Sequence, residues 1–283
     1  MLDYNYALSQ VFSPSFIKKI NDPIHEHDLR SLLHHCRLYP ENVQWNFAKG
    51  LEITYDYLKR NYRCEYVYKN EIANQLLLNF HSDNSATLLS ELKSDNSIAD
   101  IVIINGRTCA YEIKTELDNL DRLPCQIESY RMLYDLVYIV SHPDLVSKLK
   151  RLTNNLAGII TMDKNGTLKK TKSSPINNSL FSPKKAALTL RQSELVKAYE
   201  FKIGKLPQMG TAQVHLFCYD WFSNLESTTA RKLFLRALKD RKPLPHQFQL
   251  IKNCGSSLKI MFLGRDLPKN YCELVKNRLN LRP

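Results

Sequence analysis

The chain has 283 residues, 43% of them apolar and 24% charged, an ordinary balance for a folded soluble chain and the wrong one for a disordered chain. No apolar run approaches the ~20 residues of a bilayer crossing, no basic n-region opens a signal peptide, and the seven cysteines form no CxxC pair, so a membrane protein, a secreted disulfide scaffold and a common zinc module are set aside and a cytoplasmic location is expected. The net charge of +12 is uneven, with 19 acids and 14 bases in residues 1–140 against 9 acids and 26 bases in residues 141–283, which suggests an anionic partner, nucleic acid rather than membrane, on the C-terminal half.

Residues 1–66 read as a helical region, with helices over Asp28–Leu38 and Val43–Tyr62 and breaks at Pro23 and Pro40. The dense aromatics here (Tyr4, Tyr6, Phe12, Phe16, Trp45, Phe47, Tyr55, Tyr57) read first as core packing and only second as a platform for stacking bases. The cluster His25, Glu26, His27, Asp28, His34 and His35 fits no zinc spacing and reads as a polar helix entrance with Asp28 near its cap. A further helix is predicted over Lys69–Phe80, carrying Glu71 and ending in the polar run His81–Ser85. The period then changes to that of strands, at Ala86–Leu92, Ala99–Ile104 and Thr108–Lys114. A helix over Leu123–Tyr134, a strand at Leu136–Val140 and a helix over Pro143–Leu152 follow. Leu156–Met162 and Thr167–Lys170 flank Asn165-Gly166, a hairpin signal.

Lys164–Ser193 holds seven bases and no acid and reads as a linker or mobile loop. Helices are predicted beyond it at Ala186–Ile203, Ala212–Leu238 and Asn270–Leu279, with a short strand at Leu258–Leu263. The expected class is therefore α/β: an N-terminal helical region over residues 1–66, an α-β-β-β-α-β core with its following hairpin over 67–172, and a basic, mainly helical region over 173–283.

Chemistry concentrates in the middle segment. Residues two apart on a strand share a face, so Glu112 and Lys114 project together while Ile113 points into the packing. Residues four apart on a helix share a face, which joins Gln126 to Tyr130. Asp100 sits among Ile98, Ile101, Val102 and Ile103, where a carboxylate without a partner costs several kcal/mol. A divalent cation is one such partner.

Asp100, Glu112-Ile113-Lys114 and Gln126…Tyr130, in this order, resemble the PD-(D/E)XK superfamily of restriction-endonuclease-like nucleases, in its RecB-like branch with the Q-x-x-x-Y motif. The resemblance covers about Lys69–Ser141, with Ala99 where the family's proline usually stands. The run Asp118–Leu123 is also similar to the D-x-x-R-L run of an uncharacterised bacterial family of such nucleases. The resemblance implies a Mg²⁺- or Mn²⁺-dependent nuclease acting on DNA rather than RNA, with Asp100, Glu112 and the Ile113 carbonyl holding the metal and Glu71 completing the set, Glu91 being the competing acid. Lys114 would orient the attacking water or stabilise charge on the phosphate, and Gln126 and Tyr130 would support the site or touch the substrate. Arg122, Lys169, Lys170, Lys172, Lys184 and Lys185 are the candidates for gripping the backbone, while Asp118, Asp121 and Arg122 read equally well as a helix cap. The alternatives are a catalytically inactive nucleic-acid-binding or interaction module on the same fold, and a toxin-like RNase.

Strand parity sets a geometric condition. Asn105-Gly106 favours a two-residue hairpin turn, which would put Asp100 opposite Tyr111 and Glu112 on the other face of the sheet. A shared site instead requires a three-residue connection, Asn105–Arg107, or a bulge, so that Asp100 stands opposite Glu112.

Overall fold

The structure is a computed structural model that describes residues 4–78, 86–116, 118–177 and 180–281. The predicted His81–Ser85 run, the end of the helix before it and the Phe16 side chain lie outside the described residues. The chain is mixed α/β and divides into two compact units, which differ from the sequence division because each is assembled from separate stretches. The first unit comprises residues 1–80, 162–169 and 243–283, and the second comprises 81–161 and 170–242. No helix among the described residues is long and apolar enough to cross a membrane.

The first unit is helical. Its helices Pro23–His35 and Phe47–Asn61 bury Leu29, Leu33, Leu51, Tyr55 and Leu58. The first of these starts earlier than its periodicity suggests, because Asp22, not Asp28, is the cap: its carboxylate accepts from the Ile24 amide at 3.0 Å, and Pro23 needs no amide partner. The helix Glu65–Glu71 runs on as a π-helical stretch, Ile72–Leu78. Helices at Tyr4–Gln10, Pro14–Lys18 and Pro245–Asn253 fall in stretches that the sequence reads as helical without bounding these elements. The expected strand at Leu258–Leu263 is instead a 3-10 turn (Ser256–Leu258) leading into a helix (Lys259–Leu263), since four consecutive buried apolar residues carry no period that separates strand from helix.

Strands are numbered in chain order: β1 Thr87–Ser94, β2 Ser97–Ile104, β3 Thr108–Lys114, β4 Leu136–Ser141, β5 Gly158–Met162 and β6 Leu168–Lys172. They form one sheet in the order β1-β2-β3-β4-β5-β6. β1–β2 and β2–β3 are antiparallel hairpin pairs, whereas β3–β4 and β4–β5 are parallel, the first parallel step being made through the helix Leu123–Arg131. The β2–β3 ladder pairs Ile104 with Thr108 and Ile101 with Tyr111, so the connection is the three-residue Asn105–Arg107, with Gly106 at φ 68, where a side chain would be strained. The two-residue turn favoured by Asn105-Gly106 does not form. One step beyond Ile101–Tyr111, this register sets Asp100 opposite Glu112.

Val102, Ile104, Ala110 and Ile139 lie on the same sheet face as Glu112 and pack with Leu123, Ile127 and Tyr130 of the crossover helix. The same core takes in Phe181, Leu190, Leu195, Phe222 and Phe234 from the helices that follow, which is why residues 173–242 join the sheet rather than form a separate region. The linker expected at Lys164–Ser193 is corrected accordingly: it contains β6 and the helix Pro183–Thr189, capped by the Ser182 hydroxyl. The two long helices predicted there are each broken in two, at Leu190–Arg191 and between Ser223 and Ser227, by extended or capping residues.

One polar latch ties helices to sheet. Asp135, 7% exposed, accepts from the Thr108 amide (2.8 Å) and hydroxyl (3.0 Å), and its other oxygen accepts from Arg231 (3.0 Å), which also donates to the Asn177 carbonyl (2.9 Å). Removing one partner of a buried pair strands the rest. Asp135→Ala should therefore lower the unfolding free energy by about 3 kcal/mol in urea titrations; a loss below about 1 kcal/mol would mean that apolar packing alone holds the helices to this strand.

Candidate active site

The hairpin register and the crossover helix converge on Glu112, whose side chain is almost wholly buried at 2% exposure. Its Oε1 accepts from Lys114 Nζ at 2.7 Å and from Gln126 Nε2 at 2.6 Å, while Tyr130 OH lies 2.6 Å from Oε2. These are the positions that strand and helix periodicity pair: Lys114 two residues along β3, and Gln126 and Tyr130 one turn apart on the helix Leu123–Arg131. Burial, then the neighbouring Glu112 charge, pushes the Tyr130 hydroxyl far above the ordinary tyrosine value, so it remains a donor at any ordinary pH. That one proton faces two acceptors, Glu112 and the Ile98 carbonyl at 2.8 Å.

Asp100 is only half-buried, and its neighbour Ile98 is 57% exposed, so the expected burial among isoleucines is corrected. The partner that the carboxylate finds is a backbone amide: Oδ2 accepts from Ile113 N at 2.7 Å. This bond holds the peptide between the two site residues of β3 where the β2–β3 pairing ends. On β3's other neighbour, the Ser141 hydroxyl donates to the Lys114 carbonyl at 2.6 Å, a support that the sequence did not single out.

Glu71 belongs to the first unit. There it is 5% exposed, and its carboxylate accepts from Tyr55 OH (2.7 Å) and Gln75 Nε2 (2.5 Å), with Lys59 Nζ at 3.7 Å. Glu91 is exposed on β1, at the one step that the β1–β2 ladder skips, opposite Asp100, and adopts φ 52.

Among the described residues no three His, Cys, Asp or Glu side chains gather as a metal cage. The second unit offers a smaller set that fits a hard divalent cation: the carboxylates of Asp100 and Glu112, and beside them the Gln126 Oε1, a buried acceptor with no hydrogen-bond partner. A carboxylate presents about four lone-pair positions, and Glu112 uses three. A hydrated Mg²⁺ or Mn²⁺ would answer this surplus of acceptors, the ion taking carboxylate oxygen and its water donating to Gln126.

The basic candidates differ in their engagement. Lys185 is committed to Asp95 at 2.5 Å, and Lys172 Nζ lies 3.5 Å from the Thr153 hydroxyl. Lys169, Lys170 and Lys184 are exposed, with Lys170 over the Tyr138 ring at 5.8 Å. Arg122 stands exposed at the N-cap of the crossover helix without a side-chain cap bond. Asp118 and Asp121 do not cap that helix: they order the preceding loop through Thr115 and Asn119. The charge asymmetry between chain halves also disappears on folding. The first unit has 18 bases and 12 acids and the second 22 and 16, a net +6 each.

A family model described as bacteriophage P4 protein cII matches residues 58–256. Protein cII of Enterobacteria phage P4 is 29% identical over 86 residues, which cover 30% of this chain and 33% of that protein, so the chain spans about a third of the curated relative's length. No solved structure matches the chain.

The donor set makes a stability prediction. Tyr130→Phe takes one hydrogen bond from a buried carboxylate and should cost about 1.5–3 kcal/mol in urea unfolding. An unchanged midpoint would show that Glu112 does not depend on this hydroxyl.

Proposed function

The chain belongs to the bacteriophage P4 protein cII family, and we propose that its second unit acts as a metal-dependent nuclease that hydrolyses phosphodiester bonds, in DNA before RNA. The observation that carries the proposal is the single carboxylate of Glu112 held at once by Lys114, Gln126 and Tyr130, with Asp100 on the same face. Stability does not explain such a centre, since well-packed apolar residues of similar volume serve a core as well or better. The strand order β1-β2-β3, crossover helix, β4, preceded by the helix that bears Glu71, supports the restriction-endonuclease-like α-β-β-β-α-β reading.

Asp100 and Glu112 would hold the cation, with the carbonyl of Ile113, the residue after Glu112, as a third ligand. When bound, the cation would polarise the scissile phosphate and lower the pKa of a water. Tyr130 and Gln126 keep Glu112 in one rotamer, so its oxygens are aimed before substrate arrives. Asp100, by holding the Ile113 amide, fixes the Glu112–Ile113 peptide, the one that precedes the Ile113 carbonyl. Lys114 lies against Glu112 with its side chain 12% exposed, where an ammonium stabilises negative charge on a phosphate more strongly than it would in open water. The Gln126 Oε1, a buried acceptor with no protein donor, would accept from a water and orient it.

Pure protein incubated with plasmid, single-stranded DNA and RNA, in Mg²⁺ or EDTA, tests the activity. Cleavage of DNA in Mg²⁺ alone is expected; faster cleavage of RNA would favour a ribonuclease, and binding with no cleavage of any substrate would favour a module without catalysis. Glu112→Gln should lower cleavage by about 10²–10³-fold or more, and Lys114→Ala similarly, while DNA binding in gel shifts survives or tightens with one negative charge fewer near phosphate. Loss of binding together with cleavage, in a folded Glu112→Gln protein, would remove the ligand assignment.

Phosphate gripping has its own readout. Log affinity for duplex should fall with log salt by about 0.9 per neutralised phosphate, and replacing Lys169, Lys170 and Lys172 with glutamine should flatten that slope by up to about 2.7. An unchanged slope would leave β6 a solvated basic edge.

A further inference from the structure

We propose that the first unit carries a second ligand site, a cleft that takes an unpaired nucleobase of a single-stranded nucleic acid, and that this site is independent of the nuclease chemistry. The cleft has a volume of about 440 Å³, within the ordinary range of small-molecule pockets, and is lined entirely by residues of this unit.

Its aromatic wall is Trp45, just ahead of the helix Phe47–Asn61. The indole is fixed rather than loose. Its Nε1 donates to Glu26 Oε1 at 2.5 Å, its ring meets Tyr39 at a centroid distance of 4.9 Å, and it lies so close to Gly50 that a Cβ there would stand 2.7 Å from the ring edge. A ring already held in place loses little freedom when a planar partner stacks on it. Leu274, 53% exposed on the helix Lys269–Arg278, adds apolar surface.

Of the four asparagines in the lining, Asn46 is engaged as the cap of the helix Phe47–Asn61 and the other three are not. Asn21, Asn277 and Asn280 line the cleft, and among the described residues none of their side chains makes a hydrogen bond. Each amide offers two donors and an acceptor, the complement of a base edge. The two charged groups in the cleft, Glu26 and Arg278, are paired with each other and leave it without net charge. Among the lining residues a phosphate would find no unpaired cation; Arg30 lies outside the lining with its guanidinium carbon 6.0 Å from the centre of the Trp45 ring. Yet the unit around the cleft carries +6, so a polyanionic chain is drawn to the unit while only its neutral part suits the cleft. An unpaired base on its sugar–phosphate strand meets both conditions: its face stacks on Trp45 and its edge meets the asparagine amides. A neutral oligosaccharide would match the aromatic ring and amides but would make no use of the surrounding charge.

The experiment is done on the full chain in EDTA, so that its outcome does not depend on cleavage. The chain has two tryptophans, and Trp221→Phe leaves the emission of Trp45 alone to report. Oligothymidylate, an abasic oligonucleotide of equal length and a neutral oligosaccharide are titrated in turn. Oligothymidylate should quench Trp45 and bind about tenfold more tightly than the abasic strand, the scale of one base–aromatic stack. Asn277→Ala combined with Asn280→Gly should bring oligothymidylate down to the abasic affinity. Both side chains are exposed, and glycine accepts the φ of 52 at position 280, so the double variant is expected to fold. This affinity comparison, read by filter binding, needs no tryptophan variant. Equal affinity for the two strands without quenching, an unchanged affinity of the double variant, or quenching by the oligosaccharide alone would each overturn the assignment. Loss of nuclease activity in the Glu112 variants bears on the other site only.

Discussion

Everything at the candidate active site rests on the register of one hairpin. A strand alternates faces with a period of two, so a shift of a single residue between β2 and β3 would carry Asp100 to the face opposite Glu112. Local propensity pulls toward that shift, because Asn105-Gly106 is a good two-residue turn. The chain instead spends a third residue, Arg107, and uses Gly106 at φ 68 to close the loop. The apolar pattern agrees with this choice. In the observed register Val102, Ile104 and Ala110 join Glu112 on the face that packs against the crossover helix, while Ile101, Ile103 and Tyr111 fill the other face. A slip would have to re-sort both faces at once, and no single turn preference, worth about 1 kcal/mol or less, can outweigh that.

Given that register, the rest of the centre follows from Glu112. A buried carboxylate must be paired and hydrogen-bonded or it will not be retained. Three donors from two elements satisfy it, and each has a further constraint of its own: Lys114 through the strand held by Ser141, Tyr130 through the shared Ile98 carbonyl, and Gln126 through the helix that makes the parallel crossover. The acceptors still exceed the donors by the unsatisfied Gln126 Oε1. That imbalance, in a site otherwise so fully paired, is a physical reason to look for a cation and its water here.

Legibility in the sequence tracked distance along the chain. β3 was readable to the residue, and the other strands to within about two, because short β-rich runs bounded by turn residues carry their own period. The site was readable for the same reason: i to i+2 and i to i+4 spacings are local. Glu71 was placed by analogy with a family, and the structure shows its carboxylate answered by Tyr55, Gln75 and Lys59 inside the first unit. The failures are of three kinds. The bounds of the short helices opened by Pro14 and Pro245 were hidden because a proline reads as a break before it reads as a start. The helix Lys259–Leu263 was hidden by a uniformly apolar run. The latch between Asp135 and Arg231, and the cleft built from Asn21, Trp45 and Asn277, join residues far apart in sequence and left no local trace. Discontinuity misled the charge argument too, since the basic C-terminal half is divided between two units of equal net charge.

The match to the family has a bearing on how the two sites relate. Residues 58–256 contain Asp100, Glu112, Lys114, Gln126 and Tyr130, together with the whole second unit. Every residue of the Trp45 cleft lies outside that stretch, from Asn21 to Phe47 on one side and from Leu274 to Asn280 on the other. The proposed chemistry therefore sits on the part of the chain that the family model describes, and the cleft sits on flanks that fold back beside one another in the first unit. Such an arrangement lets the two evolve under different constraints. A catalytic centre tolerates errors of only fractions of an ångström, because its groups must be aimed before the reaction begins. A stacking cleft asks only for a fixed ring and some uncommitted amides, because every base has a face to stack.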